Sequence, residues 1–119
     1  MAIFNGTVNN DPFLGSLAND IYNYGPVTYA ANGTTITAAR GIDTITTGGG
    51  FDTLNFVNVG INHIDGERVG NDFKIYIQPT TDWDDSTLNR SFGGVTIVNM
   101  FAVDGTGAAA YHGGVAVAG

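Results

Sequence analysis

Apolar and polar positions alternate along this chain in short bursts, with a period of two rather than the 3.6 of a helix. Phe73, Ile75 and Ile77 alternate with Lys74 and Tyr76, and Val95 and Ile97 alternate with Thr96 and Val98. Each run predicts a half-buried strand, and Met100-Phe101 continues the second apolar surface. Gly70-Asn71-Asp72 and Gly93-Gly94 supply the turns ahead of them. Asp43-Thr44-Ile45-Thr46 and Asp52-Thr53-Leu54-Asn55-Phe56 show the same alternation after glycine-rich turns. The expected class is all-β.

An internal period organises the first half. Gly6-Thr7-Val8-Asn9-Asn10-Asp11-Pro12-Phe13-Leu14 is followed by Gly15-Ser16-Leu17-Ala18-Asn19-Asp20-Ile21-Tyr22-Asn23, so Gly, Asn-Asp and a large apolar residue recur after nine positions. Gly41-Ile42-Asp43-Thr44-Ile45 and Gly50-Phe51-Asp52-Thr53-Leu54 form a second pair, again nine apart. All four copies share an Asp two positions before an apolar anchor, which is Phe13, Tyr22, Ile45 or Leu54. Glycine-rich turns let carbonyl oxygens point at a common centre, and the Asp adds a carboxylate. Stacked turns of this kind predict a parallel β-solenoid, and carboxylate plus carbonyl oxygens, without Cys or clustered His, suit Ca²⁺ rather than Zn²⁺.

These residues resemble the nonapeptide of the repeats-in-toxin (RTX, haemolysin-type) calcium-binding proteins, most closely at Thr47-Gly48-Gly49-Gly50-Phe51-Asp52-Thr53-Leu54-Asn55. The resemblance implies a short parallel β-roll over 4–56, with calcium between loops stacked on the same side. It places Asp11, Asp20, Asp43 and Asp52 at the family's ligand position, and Gly41, Gly48 and Gly50 at loop positions whose carbonyls or torsions matter. Asn9 and Ala18 stand where the second loop glycine belongs, and the spacer from Tyr24 to Thr37 is expected to break the stacking register. Residues 57–102 are similar to the antiparallel unit that follows such repeats and closes the open end of the roll. The small-residue segment 103–119 buries little and is expected to fray, the whole 1–119 forming a single domain.

Charge narrows the partners. Lys plus Arg number 4 against 11 Asp plus Glu, for a formal charge of -7, which disfavours nucleic acid and anionic membranes and favours cations. No apolar run approaches the length of a membrane span, and no basic segment followed by an apolar one opens the chain. The absence of Cys removes disulfides, so another staple is needed. The RTX resemblance implies an extracellular protein exported by type I secretion without a cleaved N-terminal signal, and Met1 fits a stand-alone chain.

Other candidates read as structure. Asp82, Asp84 and Asp85 lack the glycine and spacing of an EF-hand and read as a solvated loop, while Trp83 beside them is a candidate for a glycan- or protein-binding surface. His63 and His112 are too far apart in sequence for a metal-binding spacing, and Leu14-Gly15-Ser16-Leu17 is no nucleophile elbow. Asn10 and Asn19 read as turn formers, and Ser16 as a bystander to the metal loops. No catalytic arrangement emerges, so the chain is not expected to be an enzyme. The expected function is a secreted calcium-binding module whose folding is coupled to the ion. The alternatives are a subunit that self-assembles through its β-edges into a filament, matrix or surface layer, and a carbohydrate-binding accessory module.

Overall fold

The structure is a computed structural model and describes residues 2–46, 48–84, 86–101 and 113–118; for Ile61 and Gly113–Ala118 only the backbone is described. It is all-β, with parallel and antiparallel sheets and no α-helix among the described residues. The repeats form β1 (Ile3–Asn5), β2 (Pro12–Leu14), β3 (Ile21–Tyr24), β6 (Ile42–Thr46) and β7 (Gly50–Phe56). Between them lie β4 (Thr28–Tyr29) and β5 (Ile36–Ala38), and after them β8 (Ile64–Val69), β9 (Asp72–Ile77), β10 (Gly94–Ile97) and β11 (Gly113–Ala118).

Consecutive repeat strands fall in alternate sheets. One sheet has the order β1-β3-β7-β11 and is parallel throughout; the other has the order β2-β6-β10-β9-β8. Ile3 lies opposite Ile21, an offset of 18 residues, or two nonapeptides. Phe13 lies opposite Ile45 and Tyr22 opposite Leu54, both offset by 32. The 14 additional residues correspond to the spacer, and here the sequence expectation is corrected: the spacer leaves the stacking register intact. Its β4 and β5 pair with each other as an antiparallel hairpin that stands apart from both sheets. Backbone groups bonded within the hairpin make no demand on the neighbouring strands. The hairpin buries Val27 and Ile36 in the common core, and the Ile36 N–H donates to Pro79 O at 2.8 Å.

The four anchors converge as their alternation requires. Tyr22, Ile45 and Leu54 are fully buried, and Phe13 is half-buried on an edge strand. Phe4 stacks on Tyr22 with ring centroids 5.1 Å apart and meets Phe13 at 5.5 Å, joining the two sheets through one core. Each such aliphatic or aromatic burial contributes about 1.5–3 kcal/mol.

The antiparallel unit extends the second sheet, since β10 pairs parallel with β6 and antiparallel with β9, which pairs with β8. Gly70 turns the β8–β9 hairpin with φ 62°, a torsion that glycine adopts freely. Tyr76, which alternation assigns to the outer face, is buried instead: its hydroxyl donates to Glu67 at 2.8 Å and the Arg90 guanidinium lies 5.9 Å above its ring. The segment expected to fray contributes β11, paired with β7 from Gly113 opposite Gly50 to Ala118 opposite Asn55. Backbone pairing requires no large side chain, which is why a Gly/Ala/Val run can supply it. Residues 102–112 and 119, with Asp104 and His112, lie outside the described residues. Among the described residues, no helix is long and apolar enough to cross a membrane.

Candidate metal centre

Because the repeat strands alternate between sheets, Asp residues adjacent in the sequence separate in space. Asp11 precedes β2 and Asp43 lies in β6, both in the second sheet's series; Asp20 precedes β3 and Asp52 lies in β7, in the first. The structure therefore joins Asp11 with Asp43 and Asp20 with Asp52. The Asp11 N–H donates to Asp43 Oδ1 at 2.9 Å, and the Asp20 N–H donates to Asp52 Oδ1 at 2.8 Å. One residue earlier the same crosslink recurs, with the Ile42 N–H donating to Asn10 Oδ1 at 2.8 Å and the Phe51 N–H to Asn19 Oδ1 at 2.9 Å. All four bonds span 32 residues, so the two loop pairs are copies of one arrangement. Asn10 and Asn19 thus lock one loop to the next, a larger role than turn formation.

The upper carboxylate of each pair is also held within its own loop. Asp11 accepts from the Thr7 N–H at 2.6 Å and the Thr7 hydroxyl at 2.9 Å. Asp20 accepts from the Ser16 N–H at 2.8 Å, the Ser16 hydroxyl at 3.1 Å and the Ala2 N–H at 2.9 Å. Ser16 is therefore no bystander, since it orients a carboxylate of the second pair.

The lower carboxylates are incompletely satisfied. Asp43 and Asp52 are 1% and 2% exposed, and Oδ2 of each is buried without a hydrogen-bond partner. Burial pushes the Asp43 carboxyl up to about 6, opposed by the Asp11 N–H and reinforced by the Asp11 charge. Burial also raises Asp52, with the Asp20 charge adding to it, whereas the Ser16 and Ala2 N–H groups hold Asp20 below its usual range. Two acids thus share each loop pair, and in the Asp20 and Asp52 pair one is stabilised as an anion while the other is destabilised. A buried unpaired anion costs several kcal/mol, and a cation between the carboxylates removes that cost.

The pairs differ in one respect that the motif did not reveal. The half-buried Arg40 donates from Nη2 to Gly6 O at 3.3 Å, and its charge favours the ionised form of Asp43. A Cβ on Gly6 would stand 2.8 Å from Asp43 Oδ2 and 3.7 Å from Asp11 Oδ2, so Gly6 borders both carboxylates. Arg40 is placed by Tyr24, whose buried hydroxyl accepts the Arg40 N–H at 3.0 Å and donates to Gly41 O at 2.6 Å. No Lys or Arg side chain makes a comparable approach to Asp20 and Asp52 among the described residues.

Gly41 and Gly50 have φ of 77° and 75°, and a Cβ on either would collide with the loop stacked against it, at Asn9 O and Ala18 O respectively. These glycines permit close stacking as well as the torsion. Gly48 shares that torsion, at 75°, and lies close against Gly15 and Ser16. Among the described residues no three His, Cys, Asp or Glu side chains group as a metal cluster, so each pair offers two carboxylates and would need backbone and hydroxyl oxygens to complete a shell.

The acidic run is self-contained. Asp84 accepts from the Ser86 N–H, the Ser86 hydroxyl and the Thr87 N–H, bonds that hold its carboxyl below the usual range, and Asp82 accepts from the Thr80 hydroxyl. Asp85 lies outside the described residues. Trp83 Nε1 donates to Asn62 O at 2.8 Å, and His63 is buried with Nδ1 2.7 Å from Gln78 O. No family model matches the chain, and no curated protein or solved structure matches it significantly.

Proposed function

We propose that this chain is a calcium-binding β-roll module of the RTX type whose folding is coupled to the ion, exported from the cell and without catalytic activity. The observation that carries this reading is the pair of buried, unpartnered Asp43 and Asp52 oxygens, each beside a second carboxylate across stacked loops. Alternation of the repeat strands between two parallel arrays, with offsets of 18 and 32 residues, supports the roll. A hard dication accepts carboxylate and carbonyl oxygens at variable angles, and Ca²⁺ suits a loop lined by both better than Mg²⁺, which demands a tighter octahedron. A chain that holds its acids apart until calcium arrives stays loose where the ion is scarce and sets where it is abundant. That behaviour, together with the acidic, cysteine-free composition, supports export by a type I route.

The test is a calcium titration of the metal-stripped full chain by circular dichroism and calorimetry. Calcium raises the melting temperature and magnesium does so much less. A melting temperature unchanged by millimolar-scale calcium rejects the reading.

One observation favours a second reading, self-assembly through β-edges. Strands β1 and β2 are edge strands, and Ile3, Val8, Leu14 and Leu17 near them are 58%, 65%, 74% and 85% exposed. Unpaired backbone beside exposed apolar side chains is a template for further pairing. Light scattering during the same titration separates the two, because a binding module stays at one size while an assembling subunit grows.

A further inference from the structure

We infer that the groove between the β4–β5 hairpin and the segments flanking β8 and β9 is a binding site for a neutral oligosaccharide. The groove has a volume of about 1010 Å³ and is lined by Tyr29, Thr34, Asn58, Asn62, His63 and Thr81, with glycine and valine between them. In a chain of charge -7, no Asp, Glu, Lys or Arg lines it among the described residues.

The lining is polar but uncommitted. The side chains of Thr34, Asn58, Asn62 and Thr81 make no hydrogen bond to another described residue. Gln78 O can only accept, so His63 Nδ1 carries the proton in that contact. The Tyr29 hydroxyl accepts the Gly60 N–H at 3.2 Å and retains its own proton to donate. Amides and hydroxyls that both donate and accept match the vicinal hydroxyls of a sugar, while a tyrosine ring offers apolar surface beside a polar tip. An anionic ligand would find no cation here and a cationic one no carboxylate. A purely apolar ligand would leave the amides unsatisfied.

The walls are fixed before any ligand arrives. Tyr29 is tied to Gly60, β5 to Pro79 through Ile36, and Asn62 to Trp83; Gln78 bonds through its side chain to Asn89 in both directions. Such preorganisation reduces the entropy lost on binding. It also gives the 14-residue insertion a purpose, since the stacked loops keep their register around it, yet the hairpin supplies Tyr29 and Thr34.

The site stands apart from the metal loops, and its test is run on calcium-saturated full chain. The probes are neutral hexasaccharides of glucose, mannose and N-acetylglucosamine, with a galacturonic acid hexasaccharide as the charged comparison, each titrated by calorimetry. At least one neutral probe binds saturably and more tightly than the acidic one. The double variant Thr34→Ala, Asn62→Ala weakens that binding by about tenfold or more, the loss expected of two hydrogen-bonding groups, with melting temperature and calcium titration unchanged. Absence of binding by all three neutral probes, preference for the acidic one, or equal binding by the double variant overturns the inference.

Discussion

The Asp20 N–H donates to Oδ1 of Asp52 at 2.8 Å, and this bond leaves Oδ2 of the same carboxylate buried with no partner beside a second acid. One atom of Asp52 is structural and the other is, on the proposed function, the one that would ligate a cation, so the two roles come apart under substitution. Asp52→Asn keeps an acceptor for the Asp20 N–H and removes the buried charge. It raises the melting temperature of the chelated protein by a few degrees, equivalent to about 1 kcal/mol, and shrinks the increment that calcium adds. Asp52→Ala removes the acceptor too and costs about 1–3 kcal/mol without metal. Thermal melts of both variants with chelator and with calcium measure this; a lower chelated melting temperature for Asp52→Asn would show that no cation is needed there.

Acidity gives an independent check. The folded-state pKa of Asp43, pushed by burial to about 6 from 3.8, means that the folded protein binds more protons than the unfolded one between those values. Stability of the calcium-free protein therefore falls as pH rises through that window, and the raised Asp52 acts in the same direction. Asp20 and Glu67 are shifted down, by backbone N–H groups and by Arg90 respectively, so their contributions disappear only as the solution becomes more acidic still. Melting temperatures in chelator thus rise on going from pH 7 to pH 5 and decline below pH 4, pH values spanning about one unit around the shifted groups. In saturating calcium the upper limb reverses, because protons then compete with the ion.

Much of the repeat half was legible because its signals are local. The nine-residue spacing and the anchors Phe13, Tyr22, Ile45 and Leu54 identify core positions from side-chain alternation alone, and three of the four are fully buried. Which acids meet was less accessible, since that depends on the offset between strands, 32 residues rather than nine. The spacer concealed this offset: a hairpin whose two strands pair with each other reads in sequence as an interruption. Tyr76 and β11 departed from pattern for reasons that lie in partners elsewhere, Glu67 and Arg90 for the one and the edge of β7 for the other. Arg40 and Tyr24 carried no motif at all. The clue available was that Arg40 stands immediately before Gly41, in a chain with only 4 Lys and Arg.

Arg40 makes the two loop pairs unequal. Its guanidinium reaches the carbonyl of Gly6, which borders Asp43 and Asp11, and its charge favours the ionised form of Asp43. Arg40→Gln therefore destabilises the chelated protein and steepens its calcium dependence, since the ion must neutralise what the side chain did. Calorimetric titration resolves two classes of site in the parent, with Asp20 and Asp52 forming the tighter, and brings them closer together in the variant. An unchanged titration would mean that the Arg40 charge is dissipated in solvent.

Tyr24 tests whether the loop or the charge matters more at the Asp43 site. Its hydroxyl donates to Gly41 O and accepts the Arg40 N–H, and burial pushes its own pKa up to about 12, so it stays a neutral donor at all pH values of interest. In Tyr24→Phe the ring still fills the core against Phe56, and Gly41 O retains the Gly94 N–H at 3.1 Å, but the Arg40 N–H loses its acceptor. A donor left unsatisfied costs about 1–3 kcal/mol when fully buried, and the half-buried Arg40 N–H less than that. The loop that delivers Asp43 then loosens while every charge stays in place. Calcium affinity at the Asp11 and Asp43 pair falls, the opposite of the change expected for Arg40→Gln, and the Asp20 and Asp52 pair is unaffected because none of its bonds involves Tyr24. If both variants move the same site in the same direction, Arg40 acts there through its backbone rather than its charge.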